Sequence, residues 1–167
     1  MLPLVIPHYR VRGVEELTPD QLRSWGLRGL LLDVDGTLTR YRRADPKQAV
    51  LAWLEELRRG DIQLCLVSNG TSARIRYFAE RLCLPYVAQA IKPLPWGLWK
   101  AIRKLKTSSA ETAIVGDQLF ADIMAGRLAG IRTILVQSIR PDEEPWFTRL
   151  KRLPERAILS RLDDAAR

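Results

Sequence analysis

Apolar positions along the chain follow two alternating patterns. Short continuous runs rich in Leu, Val and Ile lie at 29–32, 62–67, 86–88, 112–115 and 132–136. Between them, at 46–59, 72–82, 95–104 and 119–129, apolar residues recur every three or four positions. Runs without polar alternation are strands buried on both faces, and helical-period segments of this length are the crossovers that join parallel strands. The order predicts a doubly wound, Rossmann-like α/β domain, a parallel five-stranded sheet with helices on both faces.

Local signals mark the predicted boundaries. Asp45 before Pro46 reads as a helix N-cap with proline in the first turn, and Gly60 closes that helix. Thr71 or Ser72 can cap the next, and Gly130 ends the fourth. Residues 1–28 read as an N-terminal arm followed by a short helix opened by Thr18-Pro19-Asp20. From 138 to 167 the chain is basic and broken by Pro141, Pro145 and Pro154, an appendage to the core. With 167 residues and 47% hydrophobic content, the expectation is one domain over 1–167.

Composition narrows the classes. The longest apolar stretches fall far short of the ~18 residues that span a bilayer, and the N-terminus lacks the pattern of a secretory signal, so the expected location is cytoplasmic. Cys65 and Cys83 form no CxxC and His8 is the only histidine, which argues against zinc and for reduced thiols. A net charge of +8 reads either as a solvated basic surface or as a surface for an anionic partner.

The chemistry collects at strand ends. After the first strand come Asp33, Asp35 and Thr37; after the second, Ser68, Asn69 and Gly70; after the third, Lys92; after the fourth, Gly116, Asp117 and, one turn into the helix, Asp122. In open parallel sheets ligands bind outside the carboxyl ends of the strands, so these residues share one rim. Carboxylates gathered there repel unless a cation neutralises them, and Asp33, Asp35 and Asp117 form an oxygen-rich set suited to Mg²⁺. Lys92 supplies positive charge, Ser68 a hydroxyl, and the Asn69-Gly70 turn backbone N–H groups for a phosphate.

On these residues the sequence resembles the haloacid-dehalogenase superfamily: "DVDGTLT" (33–39), "LVSNG" (66–70), Lys92 in "IKP" and "VGDQLFADI" (115–123) stand in the order of its four motifs. The resemblance implies that Asp33 is the nucleophile, forming an aspartyl-phosphate, and that Asp35 is the acid/base. It implies that Thr37, Ser68, Asn69 and Lys92 bind phosphate, and that Asp33, Asp117 and the Asp35 backbone carbonyl hold Mg²⁺, with Asp122 acting through a water or from behind these ligands. Asp35 separates the chain from the dehalogenating branch, which lacks an acid/base there. Gly36 stands where close relatives often have asparagine, a change expected to affect the turn.

Cap domains in this family are inserted between the first and second or second and third motifs, and neither gap here has room for one. An open site suits a large substrate. Within the capless group, "GDQLFADIMAGRLAG" (116–130), "LPLVIPHYRVRGVEEL" near the N-terminus, "KPLPWGLWKAI" (92–102) and "TILVQSIRPDEEPWFTR" (133–149) resemble YqeG-type and phosphatidylglycerophosphate phosphatases. The implied activity is Mg²⁺-dependent hydrolysis of phosphatidylglycerophosphate by a cytoplasmic protein in peripheral contact with the inner membrane face. A nucleic-acid end, phosphoprotein or soluble metabolite is the alternative substrate, and a non-catalytic binding protein the alternative class; nucleic acid is not the expected partner. Trp96 and Trp99, and Trp146-Phe147 with Arg149, Lys151 and Arg152, read either as packed aromatics or as lipid contacts. Arg40, Arg42 and Arg43 read either as a solvated loop or as cations at the site mouth.

Overall fold

The computed structural model describes residues 2–40, 45–139, 154–155 and 157–160. Its strands are β1 (Tyr9–Arg10), β2 (Gly29–Leu32), β3 (Gln63–Val67), β4 (Tyr86–Val87), β5 (Thr112–Gly116) and β6 (Arg132–Leu135), all parallel in the order β1-β6-β5-β2-β3-β4. The helices are α1 (Pro19–Ser24), α2 (Gln48–Arg59), α3 (Ser72–Leu82), α4 (Trp96–Leu105) and α5 (Met124–Ala129).

The period-2 alternation of strand side chains divides the core. Leu30 and Leu32 on β2 face Trp53, Leu54 and Leu57 of α2 and Ile75 and Phe78 of α3, whereas Leu31, with Cys65 and Val67 of β3, faces Leu98, Ala101 and Ile102 of α4 and Ala125 of α5. Every β2 side chain is buried, which is why the run carries no polar alternation.

The sheet has six strands where the sequence predicts five. The extra one, β1, comes from the N-terminal arm, whose backbone docks on the edge of β6 through His8 N–H to Thr133 C=O (3.0 Å) and Val11 N–H to Leu135 C=O (3.0 Å). Two residues are too few to show a period, and tertiary contacts hold them: Tyr9 stacks on Trp25 with ring centroids 3.7 Å apart.

Helix starts also shift. α2 begins at Gln48 after Lys47, which makes no side-chain cap, so Asp45-Pro46 lies ahead of the helix. Asp45 instead pairs with Arg81 (2.5 Å) and accepts the Thr39 hydroxyl on its carbonyl (3.1 Å). The first turn expected as α-helix before α5 is a π-turn over Leu119–Ile123. Gly60 does end α2, but Asp61 takes the left-handed backbone (φ 58°). Gly60 is needed because a Cβ there would lie 2.7 Å from Pro19 Cγ.

Of the C-terminal appendage, Ile158 and Leu159 pack on Val5, Leu119, Ile123 and Leu135, and Glu155 accepts the Phe120 N–H (3.1 Å). Arg42, Arg43, Trp146, Phe147, Arg149, Lys151 and Arg152 lie outside the described residues. Among those described, only α2 intervenes between β2 and β3 and only α3 between β3 and β4, so no large cap is inserted. No helix among them is long and apolar enough to cross a membrane.

Candidate active site

The chain runs outward from β2 to β3 and β4, then returns to place β5 on the other side of β2. The order therefore reverses between β2 and β5, where an α/β sheet opens a crevice at its carboxyl edge. Asp33 leaves β2 and Asp117 leaves β5 at that point.

The loop after β2 is pinned by Val34 and Leu38, both fully buried, and closed by Leu38 N–H and Thr39 N–H to Val34 C=O. Pinning them inward leaves Asp33, Asp35 and Thr37 for the rim. Gly36 makes the turn with φ 88°, where a side chain is strained, and a Cβ there would fall 2.5 Å from Asp117 Oδ2. The glycine lets the β2 loop close against the carboxylate after β5.

The π-turn serves Asp122. Widening the helix turns this residue back onto the sheet, fully buried, with Oδ2 accepting the Gln118 N–H (3.1 Å) and Oδ1 accepting from Lys92 (2.6 Å). Gly116 makes room for it, since a Cβ there would lie 2.5 Å from Asp122 Cβ and nearer still to its carboxyl.

Lys92 stands at the centre. Its Nζ donates to Asp33 Oδ1 (2.6 Å), Asp122 Oδ1 (2.6 Å) and the Val67 carbonyl (3.1 Å). Thr37 donates to Asp33 Oδ2 (3.2 Å) and lies 3.4 Å from Asp117 Oδ1. Ser68, also buried, accepts the Gly70 N–H (3.0 Å), a bond that leaves its own hydroxyl proton unused. The Gly70 N–H, expected to face an anion, is thus spent within its own turn. Asn69 forms reciprocal bonds with the Lys92 backbone, Oδ1 accepting at 2.8 Å and Nδ2 donating at 3.1 Å. Its side chain fixes the segment that delivers Lys92.

Asp33, Asp117 and Asp122 offer oxygens that all lie within 4.8 Å of one another, and all three are buried. Burial, opposed by Lys92 and reinforced by the charges of Asp122 and Asp117, raises the Asp33 carboxyl to about 8. Burial disfavours the Lys92 ammonium, yet Asp122 and Asp33 outweigh it and hold Lys92 above its usual value. Once Asp33 is ionised, three carboxylates against one ammonium leave two negative charges in a desolvated site, a deficit matched by a divalent cation with oxygen ligands. The donor set fits such an ion.

Asp35 does not join this cluster through its carboxylate. Arg74, in the first turn of α3, grips both oxygens at 2.7 Å and 2.7 Å. Sequence reasoning missed Arg74; its signal was a cation in the first turn of the helix that follows the Ser68 strand end. Arg40 is half-buried after the β2 loop.

A parallel sheet whose switch point gathers aspartates from β2 and β5 around a lysine from beyond β4 defines the class. The chain belongs to the haloacid dehalogenase-like hydrolases, whose family model matches residues 38–136. It is an enzyme of the phosphatase type. It is 31% identical to the probable phosphatase YqeG of Bacillus subtilis over 94% of this chain and 91% of that protein. It is 26% identical to phosphatidylglycerophosphate phosphatase 1, chloroplastic/mitochondrial, of Arabidopsis thaliana over 94% of this chain and 48% of that longer protein. Among solved structures, NagD from E. coli K-12 superposes with a TM-score of 0.56 at 15% identity, covering 72% of this chain and 93% of that one. The 3-deoxy-D-manno-octulosonate 8-phosphate phosphatase of Moraxella catarrhalis, complexed with magnesium, phosphate and KDO, gives 0.52 at 20% identity, covering 72% and 75%. These two establish likeness of fold.

Proposed function

We propose that the protein is a Mg²⁺-dependent phosphomonoesterase acting through an aspartyl-phosphate, and that its substrate is phosphatidylglycerophosphate, hydrolysed to phosphatidylglycerol at the cytoplasmic membrane face. Its chief support is the convergence of Asp33, Asp117 and Asp122 at the switch point, with Lys92 paired to Asp33 and Asp122. The lipid substrate is supported by the similarity to the Arabidopsis phosphatase along nearly the whole chain and by a site without a cap.

Asp33, Asp117 and Asp122, with the backbone carbonyl of Asp35, would hold Mg²⁺. Bound there, the ion offsets the charge of the carboxylates and of the phosphoryl oxygens. Asp33 attacks phosphorus through a carboxylate oxygen; the new P–O bond forms as the bond to the ester oxygen breaks. Asp35 gives its proton to the departing alkoxide, then takes one from the water that attacks the aspartyl-phosphate. The second displacement frees inorganic phosphate and restores Asp33. Thr37 orients the Asp33 carboxylate, Lys92 and the Ser68 hydroxyl bind the transferring phosphoryl group, and Asn69 holds Lys92 in place. Arg74 grips both Asp35 oxygens, so it must yield at least one for Asp35 to reach the leaving oxygen.

The test is phosphate release from phosphatidylglycerophosphate in mixed micelles with Mg²⁺, beside p-nitrophenyl phosphate, for the native chain and Asp33→Asn. Lipid turnover well above the small-ester rate, lost in Asp33→Asn, is expected. Turnover confined to nucleotides, sugar phosphates or phosphopeptides removes the lipid substrate, and native turnover in Asp33→Asn removes the nucleophile.

A further inference from the structure

Seven large apolar or aromatic side chains are exposed among the described residues, and four of them, Ile91, Leu94, Trp96 and Trp99, lie within 91–99. Scattered singly they would need no explanation; gathered in one segment they form a surface. The Leu94 N–H donates to the Ile91 carbonyl (2.9 Å), closing a turn that leads into α4. The Trp96 and Trp99 rings meet edge to face at 5.3 Å, and Trp99 leans on the end of α5 through Nε1 to the Ala129 carbonyl (3.2 Å), beside exposed Leu128.

The position of this surface ties it to the site. A helix that follows a parallel strand starts at the sheet's carboxyl edge, so Trp96, the first residue of α4, stands on the catalytic rim. Lys92, between Ile91 and Leu94 in the turn, sends its ammonium inward to Asp33 and Asp122. The apolar turn and the catalytic lysine share one short segment.

Ile91 is held at a cost. Its backbone is left-handed (φ 56°), which strains a β-branched residue, and its side chain is 63% exposed. Asparagine or glycine would make the same turn without strain. The chain instead keeps a large apolar group in water beside its active site, gaining little internal packing in return.

The surroundings are cationic. Spacing along α4 puts Trp96, Trp99, Lys100 and Arg103 on one exposed face, opposite buried Leu98, Ala101, Ile102 and Leu105. No Asp or Glu occurs between Glu80 and Glu111. A second copy of this chain would bring like charge against like, both carrying +8. Indole and aliphatic side chains with lysine and arginine are what the boundary between headgroups and acyl chains accepts.

We infer that Ile91, Leu94, Trp96 and Trp99, with Lys100 and Arg103 on the same helix face, form a docking surface for an anionic phospholipid bilayer. It seats the uncapped catalytic rim on the lipid. The choice of lipid as occupant rests on the substrate reading above as well as on charge, and the test separates the two.

The variant Ile91→Asn/Leu94→Ser/Trp96→Ser removes three exposed groups, relieves the strain at 91 and touches none of the catalytic residues. Sedimentation with vesicles of equal parts phosphatidylglycerol and phosphatidylcholine, without substrate, measures docking; p-nitrophenyl phosphate turnover and thermal melting monitor the site and the fold. The native chain is expected to sediment with these vesicles, less in high salt and less with pure phosphatidylcholine. The variant should lose about ten-fold or more in partitioning, since each exposed apolar anchor that inserts is worth roughly that factor, with unchanged small-ester rate and melting. Native-like partitioning of the variant overturns the proposal, as does a native chain that ignores the vesicles but self-associates through the patch. Vesicle binding without phosphatidylglycerophosphate hydrolysis sinks the substrate and supports the surface; micellar hydrolysis without vesicle binding does the reverse.

Discussion

Gly116→Ala tests how tightly the site is built. The added Cβ would stand 2.5 Å from Asp122 Cβ and closer to its carboxyl, against a residue that is fully buried and cannot swing into solvent. Overpacking of this kind costs about 1–3 kcal/mol. Moving Asp122 also weakens its bonds to Lys92 (2.6 Å) and the Gln118 N–H (3.1 Å), and a hydrogen bond to a charged group contributes roughly 1.5–3 kcal/mol. The expected loss by urea denaturation is about 3–5 kcal/mol. Phosphatase turnover should fall about 100-fold, the penalty for a displacement near 1 Å among reacting groups. Gly130→Ala is the contrast: its φ of 73° imposes strain, but nothing lies within 4 Å of the new Cβ, so about 1 kcal/mol and no activity should be lost. Because the clash needs both side chains, Gly116→Ala in an Asp122→Gly background, which removes the Cβ at 122 as well as the carboxyl, should cost at least ~1 kcal/mol less than in the native chain. Additive costs, or a Gly116→Ala protein with native turnover and stability within about 0.5 kcal/mol, would refute the close approach.

Other outcomes follow from the same geometry. In metal-free protein the folded state keeps a proton on Asp33 up to about 8, whereas the unfolded chain releases it near 3.8, so this contribution is full below 3.8 and is lost as pH rises through 8. Urea midpoints should therefore fall across that window, and Mg²⁺, by neutralising the carboxylates, should flatten the slope; equal slopes with and without Mg²⁺ would contradict the charge accounting. Arg74→Ala removes the guanidinium that orients the Asp35 carboxyl, so turnover of alkyl phosphates, which need a well-placed proton donor, should drop about tenfold more than that of p-nitrophenyl phosphate. Equal losses on both esters would show that Arg74 does not act through Asp35. Cys65 is buried, with burial pushing its thiol to about 12, and Cys83 is exposed, so iodoacetamide should modify Cys83 alone in the native protein and both thiols in urea; native-state labelling of Cys65 would count against the packing between β3 and α4.

The sequence by itself determined the alternation of strands and helices, because strands buried on both faces must be continuously apolar and crossover helices must repeat every 3.6 residues. It also determined that the polar groups after those strands share one rim, since parallel strands bring their carboxyl ends together whatever their order. Tertiary structure decided what no local pattern encodes. The two residues of β1 form a strand only because the β6 edge offers them partners. Asp45 lies outside α2 because Arg81 and Thr39 hold it elsewhere. The π-turn that aims Asp122 at Lys92 depends on the empty space at Gly116, on another element. The grip of Arg74 on Asp35, the spending of the Gly70 N–H on Ser68 and the tie of Asn69 to the Lys92 backbone each depend on a distance set by packing. Residue types can announce an acid, a base or a donor; which atoms remain available for chemistry is fixed only when neighbouring strands and helices bring their own groups within hydrogen-bond reach.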